Sequence, residues 1–157
     1  MTLFLFNVLL AVAWMALTGQ FTEANFLLGY MVGYAILWLT QPATASAVYF
    51  RKMRQVLGFL LYFLWELTKA NMRVAHDVLT PRHRMNPGIV AVPLDAKTDA
   101  EITFLANLIT LTPGTLSLDV SEDKRVLYIH AMYIEDPYQF KREIKEGLER
   151  RLLEVLR

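Results

Sequence analysis

Apolar and polar positions divide this chain into unlike parts. Residues 3–17 form an apolar run, the polar link Thr18-Gly19-Gln20-Phe21-Thr22-Glu23 follows, and residues 24–39 form a second run. Together they predict a tight helical hairpin. Neither reaches the roughly 20 residues that comfortably span a bilayer core; each spans one where the bilayer thins or partners shield its ends. Gly29 and Gly33 are four apart, which puts two small residues on one helix face and lets another helix approach closely. Gln41-Pro42 is expected to end the second helix, with a short turn over 42–47.

The third periodic segment covers 55–80, has no helix breaker except Gly58, and stops at Pro81. Its first half is nearly all apolar. In its second half Glu66, Lys69, Arg73, His76 and Asp77 fall at helical spacing and form one stripe, with Leu61, Leu64, Trp65, Thr68, Met72, Ala75 and Leu79 on the opposite side. Such a helix is about 39 Å long. It either crosses a membrane and emerges into water or lies partly in the interface. The basic cluster Arg51-Lys52-Met53-Arg54 before it belongs on the cytoplasmic side by the positive-inside rule, and Arg82 and Arg84 after it make the rule ambiguous for a full crossing.

Beyond Asn86-Pro87-Gly88, a strong turn signal, the pattern becomes that of an aqueous domain. Residues 89–94 read as a buried strand. Thr98 and Glu101 form a capping box that starts a helix through about 111, apolar over much of its girth and expected as a buried core helix. Pro113-Gly114 turns the chain. Leu116, Leu118 and Val120 alternate with Ser117 and Asp119 as a half-buried strand, and 126–134 is another. Asp136 caps the last helix with Pro137 at its first position, and Phe140, Ile144, Leu148, Leu152 and Val155 make its core stripe. The fold expected is thus α-helical at the N-terminus, two short helices and a long amphipathic third, followed by a small α+β domain in the order strand-helix-strand-strand-helix. The first crossover favours a parallel pair and the hairpin an antiparallel one, which gives a mixed sheet. The expected division is a membrane anchor over 1–81, a linker over 82–88 and the aqueous domain over 89–157.

Charge sharpens this division. The first 50 residues carry one charged side chain, Glu23. The helices are read as retained rather than as a signal peptide, although Ala43-Thr44-Ala45 resembles a cleavage site: no Lys or Arg precedes the apolar run, which is also too long for a signal core. A net charge of +1 gives no basic face for nucleic acid. The absence of cysteine removes disulfides, thiolate metal sites and cysteine nucleophiles.

No catalytic constellation, cofactor loop or paired-histidine metal motif is present, so no catalytic, cofactor or metal residue is assigned. His76, His83 and His130 are scattered. Charges at membrane depth are costly and mark function by default, so Glu66, Lys69, Arg73, His76 and Asp77 are candidates for an ion path or a contact with a partner chain. A polar face that meets headgroups, water or a partner is the plainer reading, with Lys69 and Arg73 snorkelling to the interface.

The run 86–94 (NPGIVAVPL), then 105–116 (LANLITLTPGTL), then 127–130 (LYIH) resembles the E subunits of Mrp-type multisubunit cation/proton antiporters, and the order of elements agrees over nearly the whole chain. The resemblance implies an accessory subunit, acting in assembly, stability or coupling, of a cell-membrane complex that exchanges sodium for protons. It implies that larger partner subunits carry the Na+ and H+ paths and that the aqueous domain is cytoplasmic. It transfers no catalytic motif. The stretch 106–115 is its most specific part; within it Thr112-Pro113-Gly114-Thr115 is explained physically as a turn, because proline fixes one dihedral and glycine permits unusual ones, and a partner or ion contact through its threonines is the alternative. The competing function is a membrane-anchored sensor or scaffold whose aqueous domain recruits a soluble partner.

Overall fold

The structure, a computed structural model, describes residues 2–40, 43–80 and 85–157. The chain forms two compact units, Met1–Arg54 and Gln55–Arg157. The expected stops at Pro42 and Pro81, and Arg82, His83 and Arg84, lie outside the described residues.

In the first unit, helices α1 (Thr2–Thr18) and α2 (Glu23–Thr40) pack as a hairpin. Asn25 ties its turn. Its Oδ1 accepts from Trp14 Nε1 at 2.9 Å, while its Nδ2 donates to Thr18 Oγ1 at 2.6 Å and to the Gln20 carbonyl at 2.7 Å. Thr22 caps α2 by accepting from the Asn25 amide. Helix α3 (Ala43–Leu79) begins where a turn over 42–47 was expected, so the basic cluster 51–54 is helical. The reason is local: residues 43–57 contain no glycine or proline to interrupt a helix once started. Among the described residues, no helix is long and apolar enough to cross a membrane. The 17 residues of α1 rise only about 26 Å against a hydrocarbon core of about 30 Å. The 37 residues of α3 are long enough but not apolar enough.

The second unit contains the rest of α3, then β1 (Gly88–Pro93), α4 (Asp99–Leu111), β2 (Thr115–Val120), β3 (Val126–Ala131), α5 (Pro137–Arg142), a π-helical segment (Glu143–Glu149) and α6 (Arg150–Leu156). The sheet is not mixed. Its strand order is β1-β3-β2, and both pairings are antiparallel. The crossover through α4 does return β2 in the direction of β1, but one strand position further on. The hairpin at 121–125 then folds β3 back into the gap, antiparallel to both neighbours.

Among the described residues, one face of the sheet is covered and the other is open. Val90, Val92, Leu127, Ile129 and Ala131 point into a core closed by Leu105 and Ile109 of α4 and by Leu148 and Leu152. Phe63 of α3 completes this core, with Phe59, Tyr62 and Leu67 packed against it. Strand β1 is therefore half-buried rather than buried, and Ile89 is exposed. Strand β2 also departs from expectation. Leu116 and Leu118 face out, whereas Thr115 and Ser117 face in and donate to the carbonyls of Ile109 and Ala106. An irregularity between Ser117 and Asp119 then shifts the register by one residue and turns Val120 inward. Helix α4 buries one face through Ile102, Leu105 and Ile109 and leaves Phe104 and Leu111 exposed, so it is an amphipathic cover rather than an enclosed core helix.

Candidate functional site

The polar stripe of α3 faces its own domain. Glu66, Lys69 and Arg73 line a cleft of about 130 Å³ whose other wall contains the turn Thr112-Pro113-Gly114-Thr115, with Tyr133 and Glu143. Two groups that the sequence presents separately are thus brought to one place. Within the stripe, Lys69 Nζ lies 2.7 Å from Glu66 Oε1, an ion pair one helical turn long. Arg73 stacks its guanidinium over the Tyr133 ring, 5.4 Å from the centroid.

The turn closes α4. Thr112 Oγ1 donates to the Leu108 carbonyl at 3.0 Å, and Thr115 Oγ1 donates to the carbonyls of Ile109 and Thr112 at 2.6 and 2.9 Å. Both hydroxyls thereby satisfy backbone acceptors that a helix end leaves open. Gly114 has φ of 88°, and a Cβ there would lie 3.2 Å from the Tyr133 ring. The close approach fixes Tyr133 against the turn, which in turn places the ring under Arg73.

A second cleft, of about 300 Å³, lies at the end of α3. Asp77 lies in its wall and is only 3% exposed. His76 Nδ1 is 3.9 Å from Asp77 Oδ1, but Oδ2 has no hydrogen-bond partner among the described residues. The Tyr133 hydroxyl faces this carboxylate; burial first, and Asp77 second, raise its pKa. No group of three or more His, Cys, Asp or Glu able to hold a metal ion occurs among the described residues.

In the first unit, Gly29 and Gly33 are buried against α1. A Cβ on Gly29 would come within 2.9 Å of Trp14, and one on Gly33 would collide with Asn7 and Leu10. Sequence reasoning missed Asn7, which is fully buried and donates from Nδ2 to Tyr49 at 3.1 Å; Tyr49 in turn shares a hydrogen bond with Tyr30 at 2.9 Å. A lone asparagine in an apolar helix was the available signal, because such a group needs an interhelical partner. Glu149 was missed as well. It is fully buried, and its Oε1 accepts from the amides of Asp95 and Ala96 at 2.6 and 2.9 Å. It falls in the charged register of the last helix and carries no distinguishing signal.

The apolar side of α3 is uncovered. Leu61, Leu64, Trp65 and Met72 are each at least 49% exposed, and so are Phe4, Leu5, Leu9, Leu27, Met31 and Trp38 of α1 and α2. Apolar surface on this scale marks contact with lipid or other chains. The molecule is of the class of helical subunits of multisubunit membrane complexes that carry a small α+β domain. The Na+/H+ ion antiporter subunit family MNHE matches residues 7–155. The chain is 40% identical over 151 residues to the Na+/H+ antiporter E subunit of Alkalihalophilus pseudofirmus, covering 96% of each chain, and 40% identical over 153 residues to that of Bacillus subtilis, covering 98% and 97%. Among solved structures it resembles a chain of the Mrp complex from Dietzia sp. DQ12-45-1b, with TM-score 0.51 and 32% identity over 66% of this chain and 97% of that one. It also resembles a chain of the archaeal membrane-bound sulfane sulfur reductase, with TM-score 0.58 and 25% identity over 98% of each. The chain belongs to the family of E subunits of multisubunit Na+/H+ antiporters.

Proposed function

We propose that this subunit has a non-catalytic role in its antiporter, holding the complex together and coupling its parts, while partner subunits carry the Na+ and H+ paths. The observation that carries this reading is the orientation of α3. Its charged stripe turns toward the protein's own domain, where Glu66 is paired with Lys69 and Arg73 is stacked on Tyr133, and its apolar side faces outward. A helix conducting ions would hold its charges along a shared path rather than pack them against its own fold.

In this reading residues 1–81 form a multi-pass anchor in the cell membrane, 82–88 a linker, and 89–157 an aqueous domain on the cytoplasmic side. Short α1 and α2 fit a bilayer when neighbours shield their ends. Gly29 and Gly33 serve helix packing, and the 112–115 turn shapes the wall of the cleft. Deleting the subunit from its native membrane, then measuring sodium-driven proton movement together with the amount of assembled complex, tests the role. Transport and assembly are expected to fall together. Full assembly with lost transport would overturn the reading and return the stripe from Glu66 to Asp77 to the ion path, where Glu66→Gln would abolish exchange.

A further inference from the structure

We propose that the free edge of β1 pairs, antiparallel and two-fold, with the same edge of a second copy of this chain. The two edges of the sheet, β1 and β2, differ. On β2 the outward amides of Thr115 and Ser117 donate to the Thr112 carbonyl at 3.1 Å and to Thr110 Oγ1 at 3.2 Å, so the end of α4 closes that edge. On β1 the Leu94 amide donates to the Arg125 carbonyl at 2.8 Å, which points position 94 toward β3. Alternation then turns 88, 90 and 92 toward β3, and 87, 89, 91 and 93 outward. The Pro93 carbonyl agrees, because it accepts from Lys145 Nζ at 3.0 Å on the outer edge. The outward N–H and C=O of Ile89 and Ala91 meet no hydrogen-bond partner among the described residues. Ile89 is 65% exposed, and Ala91 is exposed as well. An open edge of this kind is a template for one more extended strand.

The sequence of the edge selects the occupant. Its outward positions read Pro87, Ile89, Ala91 and Pro93, symmetric about Val90. Proline has no N–H to give, so pairing ends at 87 and 93, and the open stretch is limited to Ile89 and Ala91. In an antiparallel pair centred on Val90, Ile89 opposes Ala91 of the second copy and exchanges both hydrogen bonds with it. The large side chain then lies beside the small one, and Pro87 faces Pro93, so no donor is set against a missing partner. A centre at Ile89 would set Ala91 against Pro87. A centre at Ala91 would set Ile89 against Pro93, whose carbonyl Lys145 already holds. The Val90 register is thus the two-fold one that uses every open group, and a strand from an unrelated chain would need no such symmetry. A contact this short is weak by itself and gains from two copies confined to one membrane. It goes beyond the assembly role proposed above and does not depend on it.

The absence of native cysteine makes a direct test possible, because Ala91→Cys places a single thiol on the exposed edge. In the Val90 register the two copies of position 91 are diagonal neighbours about 7–8 Å apart. A bis-maleimide of matching reach is applied to membranes carrying the assembled antiporter, with Leu118→Cys on β2 as control. A dimer of this chain is expected from position 91, at severalfold higher yield than from 118. Ile89→Pro, added to Ala91→Cys, removes an outward N–H and no ladder bond, and should cut the yield severalfold while the subunit stays in the complex. Ile89→Arg, also added to Ala91→Cys, tests the same edge through an exposed side chain. Copies that carry it should repel, and co-expression with Ile89→Glu should restore the dimer. Linkage of position 91 to a different subunit, no linkage, or equal yields from 91 and 118 would each overturn the proposal, and so would a dimer indifferent to both Ile89 variants. None of these results touches the assembly role, which the deletion experiment decides.

Discussion

Two buried carboxylates set the geometry of the α+β domain, and each acts through hydrogen bonds to the backbone. Glu149 reaches across to the chain just after β1, where its Oε1 accepts two amides, and Lys145 Nζ bridges toward it at 3.8 Å and to Asp95 at 2.9 Å. Glu149→Ala leaves the amides of Asp95 and Ala96 without their acceptor, and each unmet donor costs about 1–3 kcal/mol when buried; since only Ala96 is fully enclosed, the expected loss is about 2–4 kcal/mol. Glu149→Gln retains the accepting oxygen and should cost distinctly less, and denaturant unfolding of the two variants measures the difference. Glu101 is the second. Arg157 first, then the amides of Lys97 and Thr98, stabilise its charged form and hold its pKa at about 2, against an ordinary value of 4.5. A depressed folded-state pKa contributes stability that is present above pH 4.5 and is lost as the pH falls toward 2. Asp123, held low by Ser121, adds to the same acid window. Glu101→Gln should therefore flatten the acid limb of the stability curve in part and leave the slope due to Asp123. An NMR titration of the Glu101 carboxyl carbon reads the pKa directly, and a midpoint near 4.5 would remove this account.

At the scale of elements, what the sequence made readable was what depends on local signals. The capping box at Thr98 and Glu101, Asp136 with Pro137 behind it, and the placement of three strands and two domain helices all follow from residues within one turn of each other. The pairing of strands did not, because the order β1-β3-β2 is decided by how far α4 carries the chain before the hairpin fills the gap. The faces of β2 were misjudged for a related reason. Alternation puts Leu116 and Leu118 with Val120, but Thr115 and Ser117 gain inward partners in the carbonyls of α4, and the register shift after Ser117 then brings Val120 back to the core. The last helix hides a similar departure: its middle is π-helical, and Gly147 lies where a Cβ would be 2.5 Å from the Tyr62 hydroxyl. Arg151 stacks on the same Tyr62 ring at 4.4 Å. No spacing rule announces a widened turn that admits a tyrosine from a helix 85 residues earlier (147 minus 62). Of the candidate site, the stripe on α3 was readable from its period, whereas its meeting with the 112–115 turn required the tertiary fold.

At the scale of the whole molecule, the question is what covers the apolar surfaces that each of the two units leaves open. The three tryptophans sample them: in the first unit Trp38 is 66% exposed while Trp14 is partly covered and bonded to Asn25, and in the second Trp65 is 63% exposed. Burying a large aromatic is worth roughly 2–3 kcal/mol, so surfaces built from many such residues do not remain in water. Lipid and partner subunits are the two available covers, and quenching by lipids brominated on the acyl chain separates them. In variants that retain one tryptophan, Trp38 and Trp65 of the chain alone in vesicles should lose most of their emission. A residue quenched alone but protected in the assembled complex faces a neighbouring protein; one quenched in both faces the bilayer. The depth at which bromine quenches Trp65 also separates the two arrangements of α3, because a helix lying in the interface keeps it near the headgroups and a crossing helix carries it deeper. Trp65 untouched by acyl-chain bromine in either preparation would show that the outer side of α3 meets water, and the membrane placement of this helix would then fall even with the hairpin of α1 and α2 in the bilayer.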